Sequence, residues 1–179
     1  MSADPLVTET VERLLGDVST QEEIEHSETT GWSEPTWNAL AEVGFPWVGI
    51  DDTKGGSGGT LYDLAAILTA VGRHAANVPL AETAMLGGWM LAEAGLTLPD
   101  GPVTLTGSTG AHAVDERLIL DAPVAWARHA DRIVSLLPIN DDGVHLISWR
   151  SDQVSIVPGA NMAGEARDGV VVEAPLSEW

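Results

Sequence analysis

Apolar residues recur at helical spacing through the first hundred residues and at strand spacing after them. In residues 5–16, Leu6, Val7, Val11, Leu14 and Leu15 share a helical face, and Gly16 supplies a stop. Residues 19–28, with Ser19 or Thr20 as cap, predict a second helix that is rich in acids and thin in apolar surface, a solvated surface segment. Ser33-Glu34-Pro35 gives a third helix its cap and first-turn proline, and Gly44 closes it. Thr60 caps a long helix over 60–75 with Asp63 three residues on. Leu61, Leu64, Ala65, Leu68, Val71 and Gly72 form its predicted buried face. Pro79 opens a fifth helix that ends near Gly95, with Leu80, Thr83, Ala84, Gly87, Met90, Leu91 and Ala94 on one side. Gly87-Gly88 inside it costs about 1 kcal/mol per glycine relative to alanine. Close helix–helix contact accounts for that cost; a ligand passing over the backbone is the other reason available.

From Gly101 the period shortens. Val103–Thr106, Arg117–Leu120, Arg132–Leu137, Val144–Trp149, Val154–Val157 and Val170–Glu173 predict short strands. Pro99-Asp100-Gly101, Asp141-Asp142-Gly143 and Arg167-Asp168-Gly169 read as the turns between them. The expected fold class is therefore α+β: an all-helical domain over 1–100, then a small antiparallel β-barrel or sheet domain over 101–179. Between the third and fourth helices, Lys54-Gly55-Gly56-Ser57-Gly58-Gly59 cannot be regular structure. Its glycines supply positive φ or close backbone approach. Trp32, Trp37 and Trp47 cluster around the third helix and read as packing anchors.

Charge changes the picture more than composition does. Twenty-seven acids face 8 basic residues, for a formal net charge of −19, while 44% of the 179 residues are hydrophobic. Such a field repels nucleic acid and anionic membrane, so neither is expected as a partner. There is no cysteine, which excludes disulfides, thiolate metal sites and cysteine nucleophiles and fits a cytoplasmic location. The acidic start MSADPLVTETVERLL lacks the features of a signal peptide. Asp63, Arg73 and Glu82 interrupt the best candidate for a membrane span.

A resemblance rests on residues already quoted. Trp37…Leu40-Ala41-Glu42-Val43-Gly44-Phe45, Val48-Gly49-Ile50, Gly55-Gly56, Asp63-Leu64, Val71-Gly72-Arg73 and Pro79-Leu80 resemble, in order and spacing, the N-terminal helical domain of acyl-CoA dehydrogenases. Leu118–Asp121, Trp126-Ala127-Arg128-His129-Ala130-Asp131-Arg132-Ile133-Val134, Asp142-Gly143 with Leu146-Ile147, and Val170–Leu176 resemble that family's middle-domain strands. The resemblance runs from about Trp32 to Trp179. The family's C-terminal helical domain has no counterpart in this sequence.

The resemblance implies an FAD-dependent oxidoreductase of fatty-acid or lipid catabolism, of the β-oxidation type. It would remove hydrogens from the carbons α and β to an acyl-CoA thioester, one as a proton to a carboxylate base and one as hydride to flavin. The family supplies that carboxylate from its C-terminal domain, so no catalytic residue is assigned here. Thr104-Leu105-Thr106-Gly107-Ser108-Thr109-Gly110 lies where the family carries its flavin-contacting Thr-Glu-Pro and Gly-Ser-Asp. Leu105, Thr106 and Ser108 match in part; the Glu-Pro is gone. The family's Trp-x-Thr falls in register on Pro123-Val124-Ala125, with Trp126 three positions off. The expected cofactor contacts are thus Leu105, Thr106, Ser108 and Trp126, against an ordinary strand and turn as the other reading. A non-catalytic subunit of a heteromeric dehydrogenase, with a degenerate flavin site, is the competing expectation. Either implies acyl-CoA as ligand and a homo-oligomer or a dehydrogenase partner, with an apolar surface around Met85, Trp89 and Met90.

Other chemistry is thinly represented. The glycine loop lacks the Gly-Lys-Ser/Thr of a phosphate loop. His26, His74, His112, His129 and His145 have no metal-ligand spacing, and no metal is expected. Ser108 and Ser148 have no Gly-x-Ser-x-Gly setting. Arg73, Arg128 and Arg132 are candidates for a phosphate, or else partners of the many acids.

Overall fold

The computed structural model describes residues 2–107, 111–114, 117–139 and 143–175. Two compact units divide at residue 100: Met1–Asp100 and Gly101–Trp179. The order is helices first and strands second, an α+β chain.

In the helical unit, α1 spans Pro5–Val18, with Asp4 accepting from the Leu6 amide at 2.8 Å and Pro5 in the first turn. Val11 and Leu15, four residues apart, are fully buried. The second helix, α2 (Gln21–Thr30), is capped by Thr20 and stopped by Gly31 at φ 88°; among its residues only Ser27 is buried, as a solvated segment requires. The third, α3 (Glu34–Glu42), is capped by Ser33 and buries Trp37 and Leu40. Gly44 follows it at φ 77°. The glycine loop uses both expected devices. Gly59 stands at φ 78°, and a Cβ on Gly56 would lie 2.2 Å from the Ile50 carbonyl oxygen. The fourth helix, α4 (Leu61–Arg73), opens on a complete capping box. The Thr60 hydroxyl accepts from the Asp63 amide at 3.2 Å, and the Asp63 carboxylate accepts from the Thr60 amide at 2.7 Å.

Two helical faces differ from the sequence pattern. The buried side of α4 is Asp63, Leu64, Ile67 and Ala70, with Leu68 and Val71 packed against the core. Leu61, Ala65 and Gly72 are exposed, so the stripe is rotated by about one residue. The cause is Asp63. Its carboxylate is turned inward to hold Thr60 and the Asp4 amide, the latter at 2.7 Å. The Pro79 helix is the second difference. It forms a π turn over Glu82–Gly87 before continuing as α5 (Gly88–Glu93). A π turn takes one extra residue, so the buried stripe passes to Leu91 and Ala92 while Met90 is half-buried and Ala94 exposed. Gly88 is explained by contact. A Cβ there would lie 2.7 Å from the Trp47 ring and 2.7 Å from the Thr83 carbonyl oxygen.

The β unit has two open sheets rather than a closed barrel. One runs β1 (Val103–Leu105), β4 (Arg132–Ile139), β5 (Gly143–Arg150); the other runs β2 (Ala111–Val114), β3 (Arg117–Ala125), β7 (Arg167–Pro175), β6 (Ser155–Val157). The expected antiparallel pairing holds except that β1 pairs with β4 in parallel. The strand β2 has no counterpart in the sequence reading. The expected turn Arg167-Asp168-Gly169 is strand, paired with Ala125, Val124 and Pro123 of β3. The core between the sheets includes Leu120, Val124, Ile133, Trp149 and Val170, all fully buried. Among the described residues no helix is long and apolar enough to cross a membrane.

Candidate functional site

Strand alternation sets where the expected cofactor contacts point. Leu105 pairs with Val134, which pairs with Ser148. Thr104 pairs with Ile133, which pairs with Trp149, so these three take the core face and Leu105 takes the other. Thr106 follows on the core side and is 3% exposed. Its amide donates to the Val134 carbonyl at 2.9 Å, and its hydroxyl lies 2.8 Å from the buried Ser135 hydroxyl and 3.2 Å from the Gly107 carbonyl. The Thr104 hydroxyl donates to the Ala125 carbonyl at 2.6 Å, tying β1 to the end of β3.

Trp126 ends β3 in the left-handed region, at φ 60°, and is 5% exposed. Its amide donates to the Ala166 carbonyl at 2.9 Å. Its ring is therefore buried rather than open to solvent. Ser108 lies outside the described residues. Of the expected contacts among the described residues, Leu105 is half-exposed, Thr106 is buried on the core side and Trp126 is buried. The Ser148 hydroxyl on the Leu105 face is buried without a hydrogen-bond partner among the described residues.

Two carboxylates organise the turns. Asp131, of the Ala130-Asp131 phrase, accepts from the Gly101 amide at 2.9 Å, and its amide donates to the Pro102 carbonyl at 2.8 Å. A Cβ on Gly101 would lie 2.5 Å from that carboxylate, which would then have to shift. Asp168 is fully buried. It accepts from the Arg128 amide at 2.9 Å, from Arg128 Nε at 2.8 Å and from the Gly159 amide at 3.1 Å. Burial alone would push its pKa up, but the Arg128 guanidinium and the two amides outweigh burial and hold it below the usual carboxylate range. Beside it, burial and then the Arg128 charge hold His129 below its ordinary value, against the opposing pull of Asp168. The sequence pattern carries no sign of this cluster, because Asp-Gly looks like a turn.

The expected alternatives for arginine resolve toward acids in two cases. Arg73 pairs with Glu12, whose other oxygen is 2.9 Å from His74 Nε2. Arg128 is held by Asp168 and also donates to the Gly159 carbonyl. No group of three or more histidine or carboxylate side chains among the described residues could hold a metal. The buried carboxylates Asp63 and Asp168 each receive several donors and offer no free base.

No family model matches the chain, and no curated protein matches its sequence. Solved structures match its fold over almost the whole length. A variant of the Tcur3481–Tcur3483 steroid ACAD is 20% identical, with a TM-score of 0.74, over 94% of this chain and 54% of its own. The ChsE4–ChsE5 complex from Mycobacterium tuberculosis is 15% identical at a TM-score of 0.66, over 99% of this chain and 56% of its own. A glutaryl-CoA dehydrogenase from Mycobacterium smegmatis in complex with FADH2 is 13% identical at 0.65, over 96% and 53%. This chain thus has the fold of roughly half of an acyl-CoA dehydrogenase, and it spans about half the length of the structures it matches.

Proposed function

We propose that this chain forms the helical and middle β parts of an acyl-CoA dehydrogenase-type oxidoreductase, which acts on the Cα–Cβ bond of an acyl-CoA thioester. The observation that carries the reading is the match over 94% of the chain, helical unit then β unit, to a steroid ACAD at a TM-score of 0.74. The setting would be cytoplasmic lipid breakdown of the β-oxidation type. The completed protein would use FAD, as the FADH2-bound glutaryl-CoA dehydrogenase does. Turnover would need a carboxylate base from a C-terminal helical domain, since both buried carboxylates here are committed to structural donors.

The described residues do not fit a flavin held by this chain alone. FAD needs hydrogen-bond donors, and Thr106 has given its amide to Val134, while its hydroxyl is bonded with the Ser135 hydroxyl and lies within reach of the Gly107 carbonyl. Trp126 is buried. Leu105 would offer an apolar contact, and Ser108 stays in the proposed set. Thr106 would join them only by leaving Ser135, and Trp126 only if its turn opened. We assign no redox step to this chain by itself. The competing expectation, a non-catalytic subunit of a heteromeric dehydrogenase, is not favoured by the comparisons, although two of the similar structures are named for two chains.

The test is anaerobic dye reduction with acyl-CoA and FAD, run on the chain alone and on the chain co-purified with a full-length homologue. Turnover in the complex and none by the chain alone supports the proposal. Turnover by the chain alone refutes the need for added helices. A complex whose rate matches the homologue's own leaves only the non-catalytic reading.

A further inference from the structure

The second helix is held down by polar contacts more than by packing. α2 has 10 residues, of which only Ser27 is buried and Ile24 half-buried. A helix this short does not persist on propensity, and apolar packing ordinarily sustains it. Here two side-chain hydrogen bonds tie it to the elements beneath. The Ser33 hydroxyl donates to the Glu23 carboxylate at 2.6 Å, and Asn77 Nδ2 donates to the Ser27 carbonyl at 3.2 Å. Three buried hydroxyls meet at this hook. Ser27, Ser33 and Thr36 are each no more than 2% exposed, and Ser33 Oγ lies 2.8 Å from Thr36 Oγ1. The backbone leaves helical geometry at both ends of α2, at Ser19 with ψ 60° and at Gly31 with φ 88°.

Charge works against those contacts. Glu22, Glu25 and Glu28 follow at three-residue spacing, so they are neighbours on one face and repel. Glu28 also stands in the last turn, where the helix dipole disfavours a carboxylate and no basic residue offsets it. No Lys or Arg occurs between Arg13 and Lys54. All three acids are exposed, so salt reaches the repulsion, whereas Glu23 is half-buried against Ser33 and is screened less. The screening length falls from about 30 Å at 10 mM salt to about 3 Å at 1 M. We propose that α2 is a salt-gated lid: it lies closed over the Ser27, Ser33 and Thr36 hydroxyls at high ionic strength and swings open about Ser19 and Gly31 at low ionic strength. The opposing contacts all lie within the helical unit. The device therefore needs no partner chain and stands without the dehydrogenase reading.

The test is hydrogen exchange on the whole chain, read amide by amide by NMR, at about 10 mM and about 1 M KCl. Protection of the α2 amides should rise at least about tenfold across that range, while the α4 amides change by less than about threefold. Glu25→Lys turns both like-charge pairs into opposite-charge ones. It should raise α2 protection several-fold at low salt and flatten the salt response. Glu23→Ala removes the hook and should lower α2 protection at both salt concentrations while α4 keeps its own. NaCl should act as KCl does at equal ionic strength. Protection of α2 that is indifferent to salt overturns the proposal, as does α4 rising in step with α2. So does Glu25→Lys or Glu23→Ala without effect on α2. MgCl2 acting well beyond its ionic strength also overturns it, in favour of a bound cation.

Discussion

Replacing Asp168 by asparagine should unfold the β unit well before the helical one. The native carboxylate is fully buried. One of its oxygens takes Arg128 Nε and the Gly159 amide, and the other takes the Arg128 amide. Asparagine has one acceptor oxygen. Wherever its NH2 points, at least one backbone or guanidinium donor faces a donor, which costs about 1–3 kcal/mol. Loss of the charge-assisted pair adds to this, and is discounted because the Arg128 side chain is 31% exposed. Together these give about 2–4 kcal/mol, on the order of 10 °C or more in Tm for a unit of this size. Urea unfolding with hydrogen exchange on β7 and β3 separates this unit from the helices. The pH dependence is a second readout. The folded pKa is depressed, so the stabilisation is present above the unfolded value of about 3.9 and is lost as pH falls through the folded one. The gap between wild type and Asp168→Asn should therefore be flat at neutral pH and close below about pH 4. A change under about 0.5 kcal/mol at pH 7 would refute the reasoning, as would a gap that widens in acid.

Three further outcomes follow from the packing. Gly88→Ala places a Cβ 2.7 Å from the Trp47 ring and should destabilise by about 1–3 kcal/mol despite the better helix propensity, measured by urea midpoint. Gly72→Ala, exposed on α4 with nothing near its Cβ, should stabilise by up to about 1 kcal/mol in the same assay. Thr106→Val leaves the Ser135 hydroxyl without its partner and should cost about 1 kcal/mol, with no change in flavin uptake by the isolated chain.

The helices were legible because caps and stops are local chemistry. Asp4, Thr20, Ser33 and Thr60 all cap where a short polar residue precedes an apolar run. What escaped the pattern is what distant groups decide. On α4 Asp63 turns inward to reach the Asp4 amide across the chain, and Gly88, just after the π turn, lies against the Trp47 ring. Asp168-Gly169 looks like a turn in isolation and is strand because Arg128 and Gly159 converge on the carboxylate. The expected cofactor contacts rest on order along the chain alone. Alternation then turns Thr106 away from Leu105, and the left-handed backbone at Trp126 carries its ring inside.

The most direct measurement is a flavin titration of the purified chain, by absorbance, with and without the C-terminal helical domain of a similar dehydrogenase. The chain alone should stay colourless after gel filtration, and its complex with those helices should retain FAD. A chain that holds FAD stoichiometrically by itself, or a complex that forms and stays colourless, would contradict the account.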